Sequence, residues 1–191
     1  SFARMAAAEA ARLTRLVDDL TVGFRPTAER TFPIGEALER ARAVLDRLYP
    51  GDAHRLSSEG RHLLVRGDPD RVLQVVLNLV ENALKYGPEG GSIRVCAEQD
   101  GTLVRVTVRD EGGPLDDYEV LFEAHRRAGR SGPGSGLGLY VVRQIVRDWG
   151  GTVWGRHSYD EPRGNEFGFS IPAAASASGG PVQGGNDARG A

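Results

Sequence analysis

Ser92-Ile93-Arg94-Val95-Cys96-Ala97-Glu98-Gln99 and Thr102-Leu103-Val104-Arg105-Val106-Thr107-Val108-Arg109-Asp110 are joined by Asp100-Gly101. In both runs apolar and polar residues alternate, the period of a strand with one buried face. Asp-Gly between two such runs is the strongest short-range signal for a tight hairpin turn. The centre of the chain is therefore expected to be an antiparallel β-hairpin. Just upstream, Asp68-Pro69-Asp70 reads as a helix start: an Asp cap, Pro at the first helical position, and an acid near the positive dipole end. That helix is expected to run to Tyr86, ahead of Gly87-Pro88, with Leu73, Val76, Leu77 and Val80 in the core. Downstream, Pro114 to Gly134 is polar and irregular. A second long helix, Gly136 to Trp149, ends at Gly150-Gly151, and strands are expected at Thr152–Arg156 and Glu166–Ile171.

Further upstream, Thr31–Ile34 and Arg61–Arg66 read as strands. Between them Glu36–Leu48 reads as a helix, with Ala37, Leu38, Ala41, Val44, Leu45 and Leu48 on one face. Strands and helices intermixed around an antiparallel hairpin give an α+β sandwich, one sheet covered by helices. This domain is expected to span 28–172. Before it, Ala3 to Phe24 reads as an amphipathic helix carrying Leu13, Leu16, Val17, Leu20 and Phe24 on one face, closed by Arg25-Pro26-Thr27. Such a helix needs a partner surface, from its own domain or another chain. After Pro172 the sequence turns to Ala, Ser and Gly, so 173–191 is expected to be a disordered tail.

The chain has 191 residues and a net charge of −2, with 24 basic and 26 acidic residues. No basic face of the kind that holds nucleic acid is expected from that balance. One cysteine, Cys96, excludes an internal disulfide framework or zinc cluster and fits a reducing compartment. No run of about 18 apolar residues suggests a membrane span. The chain opens on Ser1 and reads as a piece of something longer, so this portion is expected in the cytoplasm and a membrane anchor elsewhere stays open.

Three segments carry chemistry. In Asn78-Leu79-Val80-Glu81-Asn82-Ala83-Leu84-Lys85-Tyr86, the residues Asn78, Asn82 and Lys85 fall on one helical stripe. Two amides and an ammonium there suit a magnesium nucleotide: oxygen ligands for the ion, a cation for phosphate. A solvated helix face is the competing reading. Lys85 is the sole lysine among 24 basic residues, which sets it apart. In Arg109-Asp110-Glu111-Gly112-Gly113, a carboxylate ends a strand and glycines follow at once, so a ligand can approach the backbone; an ordinary strand-to-turn signal looks the same. In Gly132-Pro133-Gly134-Ser135-Gly136-Leu137-Gly138-Leu139, glycines run into a helix start, an arrangement that offers N–H groups and a positive dipole end to phosphate. A dinucleotide-binding turn fits less well, because a buried strand should precede it and Arg126-Arg127-Ala128-Gly129-Arg130-Ser131 stands there instead.

In this order the three segments resemble the ATP-binding domain of sensor histidine kinases, the GHKL or Bergerat fold. Asn78–Tyr86 resembles the N box, Asp110-Glu111-Gly112 the first glycine box, Leu121-Phe122-Glu123 the F box, and Gly134–Leu139 the second glycine box. Gly164 to Pro172 resembles the closing strand, and Ala3–Phe24 the second helix of the dimerisation hairpin. The resemblance implies a two-layer sandwich with a mixed sheet, ATP and Mg2+ as ligands, and phosphoryl transfer to a histidine outside this chain and thence to a response regulator. It implies homodimerisation through the dimerisation and phosphoacceptor helix of the full-length kinase. Carried over by position, Asn82 coordinates magnesium with Asn78 in support, and Lys85 contacts phosphate. Tyr86 flanks adenine, Asp110 accepts a hydrogen bond from its amino group, and Gly112 lets the ring approach. Arg127 reaches the γ-phosphate. Gly134, Ser135, Gly136, Leu137 and Gly138 form the phosphate loop and hinge a lid over Pro114–Gly134, in which Ala124–Gly134 is expected to be mobile and Val120–Phe122 anchored.

The sequence departs from that pattern at Pro114, where a further glycine is usual, and at His125 and Arg126, where an aromatic pair is usual. The stretch Asp110–Phe122 is also short. His54, His62, His125 and His157 all lie outside the helical context of a phosphoacceptor. Two alternatives follow. A gyrase-like ATPase would carry a glutamate base where Asn78 stands, and an amide cannot serve as that base. A degenerate nucleotide-binding or dimerisation module without kinase activity is the other.

Overall fold

The structure, a computed structural model, describes residues 28–49, 56–123, 137–160 and 163–174. In chain order the elements are β1 (Arg30–Pro33), α1 (Ile34–Leu48), β2 (Leu56–Glu59), β3 (Leu64–Gly67), α2 (Pro69–Tyr86), β4 (Ile93–Asp100), β5 (Leu103–Arg109), a 3-10 turn (Val120–Phe122), α3 (Gly138–Asp148), β6 (Val153–Ser158) and β7 (Gly164–Pro172). The main sheet has the order β2-β4-β5-β7-β6, and β1 and β3 form a separate two-stranded sheet. β2 runs parallel to β4 and every other neighbouring pair is antiparallel, so the sheet is mixed. α1 packs on α2, and α2 on α3, as one helical layer over the sheet. The expected α+β sandwich is the fold observed.

The registers explain where the core sits. Val95 pairs with Val108 and Val108 with Phe167; Ala97 pairs with Val106 and Val106 with Phe169. These rows cross the sheet on its helix-facing side, and all six side chains are buried. Burying each larger one stabilises by about 1.5–3 kcal/mol. α2 begins where Asp68 accepts from the Asp70 N–H at 2.9 Å, and the same carboxylate takes the Ala28 N–H at 3.0 Å. α3 ends at Gly150, whose φ of +75° suits glycine. Trp149 Nε1 then donates to the Ser170 carbonyl at 3.0 Å and ties the helix end to the sheet.

Several elements differ from expectation. Leu73 and Leu77 are only half-buried, while Val72, Val75 and Leu79 join Val76 and Val80 in the core. α2 lies between two helices and above a sheet, so its buried surface is wider than one stripe. The strand expected at Arg61–Arg66 is shorter and later, because Arg61 and His62 form the turn entering it. β2 was not expected at all: in Leu56-Ser57-Ser58-Glu59 only Leu56 is buried, so the segment carries no alternation to read. Leu121 and Phe122 are buried as expected, with the Phe122 ring 6.2 Å from that of Phe167. The backbone stays bonded past Pro172: the Ala174 N–H donates to the Leu64 carbonyl at 2.9 Å. The helix expected at Ala3–Phe24, the stretch Ala124–Gly134 for which mobility is expected, and most of the tail lie outside the described residues. Among the described residues, no helix is long and apolar enough to cross a membrane.

Candidate functional site

Asn78, Asn82 and Lys85 lie along one side of α2, the two asparagines half-buried and Lys85 exposed. Asn78 Nδ2 is buried and has no hydrogen-bond partner among the described residues. Leaving a buried amide N–H unpaired is costly, so this donor is open to an acceptor from water or a ligand. The neighbouring element is the start of α3: a Cβ built on Gly138 would lie 3.4 Å from Asn78 Oδ1. The first N–H groups of a helix lack intrahelical partners, and Leu137 at the cap position contributes no side-chain cap to this one. At the other end of the stripe, Lys85 Nζ stands 4.8 Å from the centroid of the Tyr86 ring. From Asn78 to Tyr86 the helix rises about 12 Å.

The far end of that stripe meets the end of β5. A Cβ on Gly87 would approach Asp110 Cβ to 3.3 Å. Asp110 is 4% exposed. Burial pushes its carboxyl above the ordinary carboxylate value, opposed first by the Gly112 N–H and then by Asn165. The Gly112 N–H donates to Asp110 Oδ1 at 2.6 Å, and Asn165 Nδ2 lies 3.4 Å from the same oxygen. A side chain at Gly112 would collide with both, since its Cβ would stand 2.7 Å from Asp110 Oδ1 and 2.7 Å from Asn165 Nδ2. The backbones are as close: the Asp110 N–H donates to the Asn165 carbonyl at 3.0 Å. Glu111, the next residue, turns away and accepts from the Ser92 hydroxyl.

Asn165 was missed by sequence reasoning. Besides Asp110, its Nδ2 donates to the Gly113 carbonyl at 3.0 Å, and its Oδ1 accepts from the Tyr118 hydroxyl at 2.6 Å. His157 Nδ1 lies 3.2 Å from that oxygen. The available signal was the polar run Gly164-Asn165-Glu166 opening a strand that is buried from Gly164 to Ile171. Glu166 faces the other side of the sheet, where it is paired with Arg109 and Arg156.

The structure thus brings Asn78, Asn82, Lys85, Tyr86, Asp110, Gly112, Leu137 and Gly138 to one side of the domain. Arg127, Gly134, Ser135 and Gly136 lie outside the described residues. The donor set suits magnesium, which takes few protein oxygens and completes its shell with phosphate and water. Two amide side chains one turn apart provide such oxygens. Among the described residues no three His, Cys, Asp or Glu side chains gather as a metal site.

A family model for histidine kinase-, DNA gyrase B-, and HSP90-like ATPases matches residues 67–175, which hold every described site residue named above. Among curated proteins, the adaptive-response sensory kinase SasA of Synechococcus sp. (strain JA-2-3B'a(2-13)) is 40% identical over 113 residues, 56% of this chain and 29% of that protein. The sensor histidine kinase WalK of Bacillus subtilis (strain 168) is 33% identical over 120 residues, 59% of this chain and 19% of that protein. The chain thus spans well under half the length of these relatives. Among solved structures, the nucleotide-free catalytic domain of the histidine kinase ThkA superposes with a TM-score of 0.64 at 28% identity, covering 78% of this chain and 96% of that one. Full-length ShkA in complex with AMPPNP superposes with a TM-score of 0.68 at 25% identity, covering 87% of this chain and 37% of that one.

Proposed function

Since the chain belongs to the family of histidine kinase-, DNA gyrase B- and HSP90-like ATPases, we propose that it is the ATP-binding catalytic portion of a two-component sensor histidine kinase. It positions ATP for transfer of the γ-phosphoryl group to a histidine outside this chain, and from there to a response regulator. The observation that carries this reading is the convergence on α2: Gly138 at the phosphate end abuts Asn78, and Asp110 at the base end abuts Gly87. A buried carboxylate at one end and a helix N-terminus at the other, flanking a stretch of α2 that rises about 12 Å, match the polarity and length of an adenine nucleotide triphosphate.

Each residue then has a physical task. Asp110 accepts the adenine amino hydrogen, and its position is fixed by Gly112 and Asn165. Tyr86 borders the base. Lys85, exposed on a flexible stem, swings from the Tyr86 ring toward phosphate. Asn82, with Asn78 beside it, would hold magnesium, and the ion would supply charge neutralisation at the phosphates. The N–H groups at Leu137 and Gly138 cradle phosphate, and Arg127, Gly134, Ser135 and Gly136 complete the loop. Nothing here needs covalent chemistry from this chain; the work is orientation and charge neutralisation. Asn78 offers no base for activating water, which favours transfer over hydrolysis. The acceptor histidine and the dimerisation helix that carries it belong to the parent kinase, which acts as a homodimer; Mg2+ and the response regulator are its other partners.

Incubation with γ-labelled ATP, followed by detection under conditions that preserve phosphohistidine, tests this assignment. The chain alone should bind ATP and stay unlabelled. Stable label on any of its four histidines would overturn the assignment of the acceptor to another segment.

A further inference from the structure

Between Asp110 and the 3-10 turn the chain is short, and Tyr118 stands within that stretch. Its ring centroid lies 5.7 Å from that of Phe167. Its hydroxyl accepts from the Leu115 N–H at 3.1 Å and donates to Asn165 Oδ1 at 2.6 Å. A phenol has one proton to give. With the Leu115 N–H already pointing at the oxygen, that proton is committed to Asn165.

This commitment favours one of the two ways the Asn165 carboxamide can point. With Oδ1 held toward Tyr118, Nδ2 faces the Gly113 carbonyl and the Asp110 carboxylate, two acceptors for its two hydrogens. The reverse orientation would set an oxygen against both acceptors and leave the Tyr118 proton without a partner. Asp110 Oδ1 is therefore held from two sides, by the Gly112 N–H and by an amide whose direction the Tyr118 proton sets together with His157 Nδ1, 3.2 Å from the same Asn165 oxygen. Within this chain of contacts it is Asp110 that reaches the end of α2, where a Cβ on Gly87 would stand 3.3 Å from the Asp110 Cβ.

We propose that Tyr118 is a positioning residue for base recognition: through the Asn165 carboxamide its hydroxyl sets the orientation of the Asp110 carboxylate, and so the preference of the site for adenine over guanine. The inference rests on the functional reading above. It assigns the shortened segment after Asp110 a task beyond connecting a strand to the 3-10 turn.

A double-mutant cycle tests it. The full chain and its Tyr118→Phe, Asn165→Ala and doubly substituted variants are titrated with a fluorescent ATP analogue in magnesium, with ATP and GTP as competitors. Phe keeps the ring against Phe167, and thermal melts identify any variant that fails to fold. Tyr118→Phe should weaken ATP about three- to fivefold, and Asn165→Ala about tenfold, with GTP little changed. In the Asn165→Ala background the Tyr118→Phe substitution should have no further effect, because its route to Asp110 is gone. Additive losses, or equal losses for ATP and GTP, would overturn the relay and leave Tyr118 as an anchor for Leu115 alone. A parent chain that fails to bind the ATP analogue would overturn the functional reading itself, a result separable from either of these.

Discussion

Gly164→Ala is the most exacting test of how β7 holds the base end of the site. A Cβ at this position would stand 1.6 Å from the Asp110 carbonyl oxygen, 2.7 Å from its carbonyl carbon and 3.1 Å from the Glu111 Cα. All three are backbone atoms, so no side chain can rotate away. To restore ordinary contact the strands must part by about 1.5 Å. The bond from the Asp110 N–H to the Asn165 carbonyl, now 3.0 Å, breaks at that separation. Losing one buried backbone hydrogen bond and leaving its partners unsatisfied costs about 1–3 kcal/mol. Local overpacking adds about 1–3 kcal/mol. A total near 3–4 kcal/mol corresponds to a drop in Tm of about 10 °C for a domain of this size. ATP affinity should fall more than tenfold, because Asn165 no longer reaches Asp110. Gly113→Ala is the matched control: its Cβ would meet nothing within 4 Å, and its Tm should stay within about 2 °C of the parent. Differential scanning calorimetry and nucleotide titration read both effects. A Gly164→Ala protein that melts with the parent and binds ATP equally well would refute the reasoning.

Asp110→Asn should leave thermal stability at neutral pH unchanged or raised while ATP affinity falls by about 1.5–3 kcal/mol. Burial raises the Asp110 pKa, so its ionised form destabilises the fold above that pKa, and the cost is relieved as pH falls through it. ATP binding, which needs the carboxylate, should weaken over that same fall in pH; pH-dependent titration against the Asn variant checks both signs. Asn82→Ala should weaken ATP chiefly when magnesium is present, whereas Lys85→Ala should weaken it with or without the ion, as titrations in magnesium and in chelator would show. Glu166→Ala, which leaves Arg109 and Arg156 facing each other across β7 but both in reach of solvent, should lower stability by about 1–3 kcal/mol without altering ATP affinity, as denaturant melts and titration would reveal.

The features legible in the sequence are those whose cause is local. α2 could be placed because Asp68-Pro69-Asp70 states its own start, and the hairpin because Asp100-Gly101 interrupts two alternating runs. The stripe Asn78, Asn82, Lys85 needed only helical geometry. β2 was hidden because its place depends on pairing with β4, and its side chains are mostly exposed. Asn165 was hidden for a similar reason. Its partners Tyr118 and Asp110 lie 47 and 55 residues away, and a polar residue at the head of a strand says nothing of what it will face. Gly164 carries no sign of its role either, since the close approach it permits is a property of two backbones brought together by the sheet.

The central claim is that α2, the end of β5 and the start of α3 together bind ATP with magnesium. Isothermal titration of the chain with ATP, in magnesium and then in chelator, tests it most directly. One site per chain is expected, weaker without the ion and weaker again in Asp110→Asn. ATP that fails to bind, or that binds equally well with and without magnesium and with and without the Asp110 carboxylate, would contradict it.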